Sequence, residues 1–244
     1  MSSIIRPSIP NNNQSQLCRW HGYASTSLLE QATVNLILEA ARRAIGAHNS
    51  FHLVLAGGTT PRHVYELLRM QKADWRFWHI YYGDERCLPA NDPERNSQMA
   101  AQSWLNYINI PADQIHIIPA ELGAESAAQA YAITLHKIAM FDMVLLGLGE
   151  DGHTASLFPG HDWGTSPDAP STLAVNNAPK PPPQRVSLSA RRLSQTLQLV
   201  FLVTDNSKQQ AVSDWRNGKE IPAAAINPES GVDIFLEESL LQLD

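Results

Sequence analysis

Asp151 and His153 stand two residues apart in a glycine-rich run, Gly147-Leu148-Gly149-Glu150-Asp151-Gly152-His153-Thr154. An imidazole has an ordinary pKa of about 6.5, so it can take and return a proton near neutrality. A lone histidine reads as a surface residue. One with a carboxylate two positions away, in a loop whose glycines let backbone approach a ligand, reads as a general base. Gly57-Gly58-Thr59-Thr60 lies between an apolar run and Pro61. A loop of that kind entering a helix presents free N–H groups and hydroxyls, which is an anion cradle, although a merely capped helix start has the same look. Asp84 and Arg86 follow Gly83. Asp84 suits a base or a partner for a sugar hydroxyl. Arg86 suits phosphate or carboxylate as a rigid fork, and the plain alternative is a local Asp–Arg pair. Lys208 adds a cation after a later apolar run. His153 has no His-x-x-x-His partner, the other histidines are scattered, and no Gly-x-Ser-x-Gly elbow occurs. The chemistry that remains is general acid–base work on a small phosphorylated molecule.

These residues need elements to position them. The apolar run 143–146 is uninterrupted, as in a strand buried on both faces, and it feeds the His153 loop. Other strands are predicted over 51–56, 77–82, 115–118, 185–188, 197–203 and 231–236. Helices are predicted over 28–45, from Pro61 to about 70, and over about 93–106, 125–138 and 207–217, with Gly46 stopping the first. Alternation of strand and helix predicts an α/β fold: a mainly parallel, doubly wound (Rossmann-like) sheet with helices on both faces. Four strands then end in polar loops, at Gly57, Gly83, Gly147 and Thr204. In a parallel sheet those ends share one edge, so the loops are expected to meet in one crevice. Arg185 falls outside that scheme because it begins a strand. The proline-rich stretch 160–183 reads as a long surface excursion and a candidate lid, not a domain boundary.

Composition narrows the class. Of 244 residues 43% are hydrophobic, which suits a globular chain. Residues 1–16 have no apolar h-region and are expected to be a flexible tail, with 17–244 forming one α/β domain. Two cysteines, Cys18 and Cys87, in no framework spacing, fit a reducing cytoplasm. The net charge of −6 and the lack of a basic run speak against nucleic acid and anionic membranes as partners. No run approaches the ~20 apolar residues needed to cross a bilayer.

Three segments carry a resemblance. Leu55-Ala56-Gly57-Gly58-Thr59-Thr60-Pro61, Gly83-Asp84-Glu85-Arg86 and Gly147 through Pro159 resemble, in wording and order, the glucosamine-6-phosphate isomerase/6-phosphogluconolactonase family. Arg185-Val186-Ser187-Leu188-Ser189 is similar to that family's Arg-Val-Thr-Leu-Thr strand, and Lys208 falls in its Gly-x-x-Lys turn. Asp151-Gly152-His153-Thr154-Ala155-Ser156-Leu157 and Asp84-Glu85-Arg86 are worded as in the lactonases rather than in the deaminases. The resemblance implies hydrolysis of 6-phospho-D-glucono-1,5-lactone with no cofactor and no metal; for the assembly, a monomer or a small homo-oligomer is the open expectation. It implies His153 as base with Asp151 orienting it, and Asp84 and Arg86 lining the sugar site. Phosphate would lie on Gly58, Thr59 and Thr60 with Arg185 and Lys208 as counter-charges, and Arg86 is open between phosphate and oxyanion. Two alternatives are a glucosamine-6-phosphate deaminase and a non-catalytic sugar-phosphate sensor. Two departures stand out: Asp205 replaces a turn glycine, and Arg95 replaces a small residue before Asn96.

Overall fold

The computed structural model describes residues 4–5 and 16–241. Most of the expected tail lies outside the described residues, but Ile4–Ile5 (β1) pairs antiparallel with β2, Cys18–Tyr23. Ser25 then caps the long helix α1 (Thr26–His48) by accepting from the Leu28 N–H. Gly46 does not stop it. Asn49 does, in the left-handed conformation at φ 57°. The chain continues through β3 (Phe51–Leu55), α2 (Thr59–Arg69), β4 (Trp78–Tyr82), β5 (Asp84–Arg86), α3 (Asn96–Ser103) and α4 (Ala124–Leu135). It ends with β6 (Met143–Gly147), β7 (Thr172–Val175), β8 (Arg185–Leu188), α5 (Ala190–Ser194), β9 (Leu199–Val203), α6 (Gln209–Arg216) and β10 (Val232–Glu237).

The main sheet has the order β1-β2-β10-β9-β6-β3-β4, and every pairing but the first is parallel. All five residues of β9 are buried, so both sheet faces are covered, as the uninterrupted apolar run requires. Trp215 of α6 packs edge-on against Phe201 of β9 and Trp20 of β2, closing one part of that core. A second, antiparallel sheet, β5-β8-β7, begins where the chain leaves β4 at Gly83. Among the described residues no helix is long and apolar enough to cross a membrane.

Several expectations are corrected. Residues 115–118 form only a single bridge, Ile115 to Ile80, because Pro119 and a 3-10 turn follow at once. The helix expected from Pro93 starts at Asn96 and stops before Trp104. α2 starts at Thr59 rather than Pro61, with Gly58 at φ 111° as its N-cap and no side-chain cap. Asp84-Glu85-Arg86 is a strand rather than a loop. The excursion 160–183 contains β7, and Thr172 Oγ1 ties it to α4 through the Ala128 carbonyl at 2.7 Å.

The main sheet also carries an acid-sensitive column. His52 and His79 are cross-strand partners with rings stacked at 4.7 Å. His79 stacks on His116 at 5.8 Å, and Tyr81 on His116 at 4.4 Å. Burial pushes His52 down to about 4, helped by His79, His48, His116 and Arg192. Burial also lowers His79 and His116, against the pull of Asp113. The unfolded chain binds protons at these sites from about pH 6.5 downward, while the folded one resists. Stability is therefore full above pH 6.5 and falls as pH drops through it toward 4. Because the rings are partly solvated, we expect about 1–2 kcal/mol lost between pH 7 and 5. Urea midpoints at the two pH values check this, and His52→Phe should flatten the difference.

Candidate active site

Strand order places the site. From β3 the chain moves outward to β4, then returns to the other side of β3 as β6. The reversal opens a crevice beyond the C-terminal ends of β3 and β6, where open α/β sheets bind ligands. A cavity of about 260 Å³ lies there, lined by Gly57 and Gly58 after β3, Gly83, Asp84 and Arg86 after β4, and Gly147, Gly149 and His153 after β6. Arg185, Lys208, Lys180 and Asn96 also line it. A larger hollow of about 400 Å³ lies among Arg19, Arg43, His48, Asp142 and Asp233. Its two carboxylates are already paired with Arg19, His21 and His48, so chemistry and not size decides between the two.

The His153 loop is built on close backbone approaches. Thr154 Oγ1 donates to the Gly147 carbonyl at 2.8 Å, and Gly149 N donates to the His153 carbonyl at 2.7 Å. A Cβ on Gly149 would fall 1.9 Å from His153 Nδ1. His153 Nδ1 lies 2.5 Å from Asp151 Oδ1, and the same oxygen accepts from the His153 N–H at 3.1 Å. Burial acts to raise the Asp151 carboxyl, but its hydrogen bonds to His153 outweigh that and hold it below the usual carboxylate range. An ionised carboxylate only accepts, so Nδ1 carries the proton and Nε2 keeps the lone pair. The ring rests on Phe158 with centroids 4.9 Å apart.

Asp84 is buried and held at both oxygens, by Asn96 Nδ2 at 3.0 Å and Ser156 Oγ at 2.6 Å. A Cβ on Gly57 would meet Asn96 Oδ1 at 2.1 Å, which explains the glycine there. Arg86 donates to the Glu94 carbonyl at 2.7 Å. Arg185, left out of the convergence because it starts a strand, reaches the same cavity. β8 runs antiparallel to β5, so Arg185 pairs with Arg86 at the end of β5. Its guanidinium donates to the carbonyls of Lys180, Pro181 and Pro182, and burial lowers its pKa against the pull of Asp84. Lys208 Nζ is 3.7 Å from Glu150. The cavity thus gathers four cations, Arg86, Lys180, Arg185 and Lys208, in a chain of net charge −6.

Thr59 and Thr60 are not brought to the cavity wall. Thr60 Oγ1 pairs with Thr204 Oγ1 at 2.7 Å, clamping the start of α2 to the loop after β9. Asp205 sits at φ 81°, which accounts for glycine in the related turn, and its carboxylate accepts from Ser207 N at 2.8 Å. Sequence reasoning missed Asn96, Ser156 and Lys180. The signals were there without a role attached: Ser156 stands in the Gly147–Pro159 run, Asn96 follows Arg95, and Lys180 is the one Lys or Arg in the proline-rich excursion. Among the described residues no group of three or more His, Cys, Asp or Glu is placed to hold a metal ion.

Comparison with known proteins gives the family and the fold. The family described as glucosamine-6-phosphate isomerases/6-phosphogluconolactonase matches residues 24–235. The chain is 32% identical over 224 residues to a 6-phosphogluconolactonase of Synechocystis sp., covering 86% of this chain and 91% of that one. It is 31% identical over 236 residues to one of Mycobacterium leprae, covering 91% and 94%. The solved 6-phosphogluconolactonase of Trypanosoma brucei superposes with a TM-score of 0.83 at 25% identity, covering 93% and 98%. Because the matched span carries both switch-point strands and every charged residue of the cavity, the chain belongs to the glucosamine-6-phosphate isomerase/6-phosphogluconolactonase family.

Proposed function

We propose that the chain hydrolyses 6-phospho-D-glucono-1,5-lactone to 6-phospho-D-gluconate, the second step of the oxidative pentose phosphate pathway. The observation that carries the reading is the Asp151–His153 pair, which leaves Nε2 basic on the wall of a cationic cavity. Nε2 takes a proton from water as the water oxygen bonds to C1 of the lactone. The carbonyl oxygen becomes an oxyanion. When it re-forms the carbonyl, the C1–ring oxygen bond breaks, and the imidazolium returns its proton to the departing ring oxygen. Asp151 holds the tautomer and stabilises the imidazolium. Asp84, fixed at both oxygens, accepts from a sugar hydroxyl. Arg185, Lys180 and Lys208 balance the phosphate on the Gly57-Gly58 backbone. Arg86, at the end of β5, stabilises negative charge on phosphate or oxyanion.

The test is proton release on adding freshly made lactone, read against a blank without protein because the lactone also hydrolyses unaided. Release well above the blank supports the reading. Release equal to the blank, with ammonia formed from glucosamine 6-phosphate, replaces it with the deaminase. Neither activity leaves the sensor.

A further inference from the structure

We propose that Arg95, which does not touch the cavity, is a positioning residue that fixes Asp84 through Glu85 and Asn96. The inference rests on the lactonase reading for its main assay. Glu85, on β5, is fully buried. Its Oε1 accepts from the backbone N–H groups of Arg86 at 2.9 Å and Asn96 at 2.8 Å, and Oε2 from Ser97 at 2.8 Å. It thereby supplies the acceptors that the first turn of α3 lacks, since the N-cap residue gives no side-chain bond. A carboxylate buried this deeply needs a counter-charge. Arg95 provides it, with Nε 3.5 Å from Oε2 and its side chain 1% exposed.

Nε makes no hydrogen bond among the described residues, so this end is held by charge alone, whereas the other end of the guanidinium is hydrogen-bonded. Nη2 donates to the Ile118 carbonyl at 2.6 Å, and Nη1 to Glu121 Oε2 at 2.7 Å. Arg95 therefore joins β5, the start of α3 and the 3-10 turn Ala120–Leu122 in one rigid fork. From α3, Asn96 Nδ2 reaches the Asp84 carbonyl and Oδ1, both at 3.0 Å. The orientation of a cavity carboxylate thus depends on an amide whose backbone is held by Glu85, and the charge of Glu85 is balanced by Arg95.

A double-mutant cycle tests this with Arg95→Met, Asn96→Ala and the pair, assayed on the lactone at a temperature where each is folded. Each single change should lower kcat/KM per folded molecule about tenfold, the scale of a remote misplacement short of a full ångström. The pair should fall no further than the worse single variant, because both act on Asp84. Arg95→Lys, which keeps the charge without the fork, should recover part of the loss. A purely structural arginine would lower the thermal midpoint and leave kcat/KM per folded molecule unchanged. That result, or fully additive losses, overturns the proposal. If Arg95→Met does not fold, the cycle is run with Arg95→Lys and judged the same way. If the wild type fails to hydrolyse the lactone, the functional reading falls by itself. The cycle is then read on the Kd for 6-phosphogluconate, with additive effects counting against Arg95.

Discussion

His153→Ala should lower kcat/KM for the lactone by about 10²–10⁴-fold while leaving the fold intact. That range corresponds to about 3–5 kcal/mol of transition-state stabilisation. Two features argue for a large effect on rate and a small one on stability. The ring's polar contacts are confined to its own loop, with Asp151 two residues away, and its packing partner Phe158 keeps its other neighbours. Losing it leaves no buried polar group without a partner, so the thermal midpoint should barely move. Steady-state rates above the blank, together with a melting curve, check both halves. Asp151→Asn separates the two members of the pair: a neutral amide can still accept from Nδ1, but it stabilises the imidazolium less. Its rate should fall less than that of His153→Ala. The Asp151 carboxyl is held below its ordinary range, so it stays ionised as pH falls. The acid limb of the wild-type rate profile should therefore not come from protonation of the Asp151 carboxyl. Rapid turnover in His153→Ala would discard the residue as base and leave the family assignment standing.

The framework was more legible in the sequence than the wiring of the site. β6 and β9 are uninterrupted apolar runs, and a strand buried on both faces can hardly read otherwise. The same reasoning, applied to the ends of β4 and β6, singled out Asp84, Arg86 and His153, which line the cavity, and Asp151, which meets it through His153. β2 was missed because Arg19 and His21 break its apolar pattern, and their partner, Asp233, lies on β10, 214 and 212 residues away. β5 was hidden because its three residues are all charged, and charge marks loops more often than strands. Here Glu85 is buried as a cap for a helix eleven residues on. Ser156 and Asp84 meet across 72 residues of chain, a contact no local period encodes. A rule for parallel strands left Arg185 out of the convergence, so only the resemblance put it at the site, and an antiparallel second sheet removes that rule's premise. Thr60 shows what sequence cannot place: its type and position suited an anion, and its hydroxyl lies off the cavity wall, bonded to that of Thr204.

Gly149→Ala should remove nearly as much activity as deleting the histidine, without the added methyl touching substrate. Gly149 is outside the left-handed region, so its backbone accepts alanine. The difficulty is space. The new Cβ would lie 1.9 Å from Nδ1 and 2.1 Å from Cε1 of His153, distances no real pair of atoms holds. The ring is the movable party, so it must swing away and give up its bond to Asp151. A displacement of an ångström or more in a proton-transfer group costs about 10²-fold or more. We therefore expect kcat/KM to fall by at least that factor, with secondary structure retained. Gly152→Ala makes the informative contrast. Gly152 is at φ 82°, and its Cβ would meet Ile221 at 2.8 Å, so the damage there falls on backbone strain and packing. That variant should lose about 1–3 kcal/mol of stability. The double variant Gly149→Ala/His153→Ala decides whether the glycine acts through the ring. If it does, the pair is no slower than His153→Ala alone, since there is nothing left to displace. A further loss in the double variant would mean that Gly149 serves the substrate directly, through the backbone it presents to the cavity.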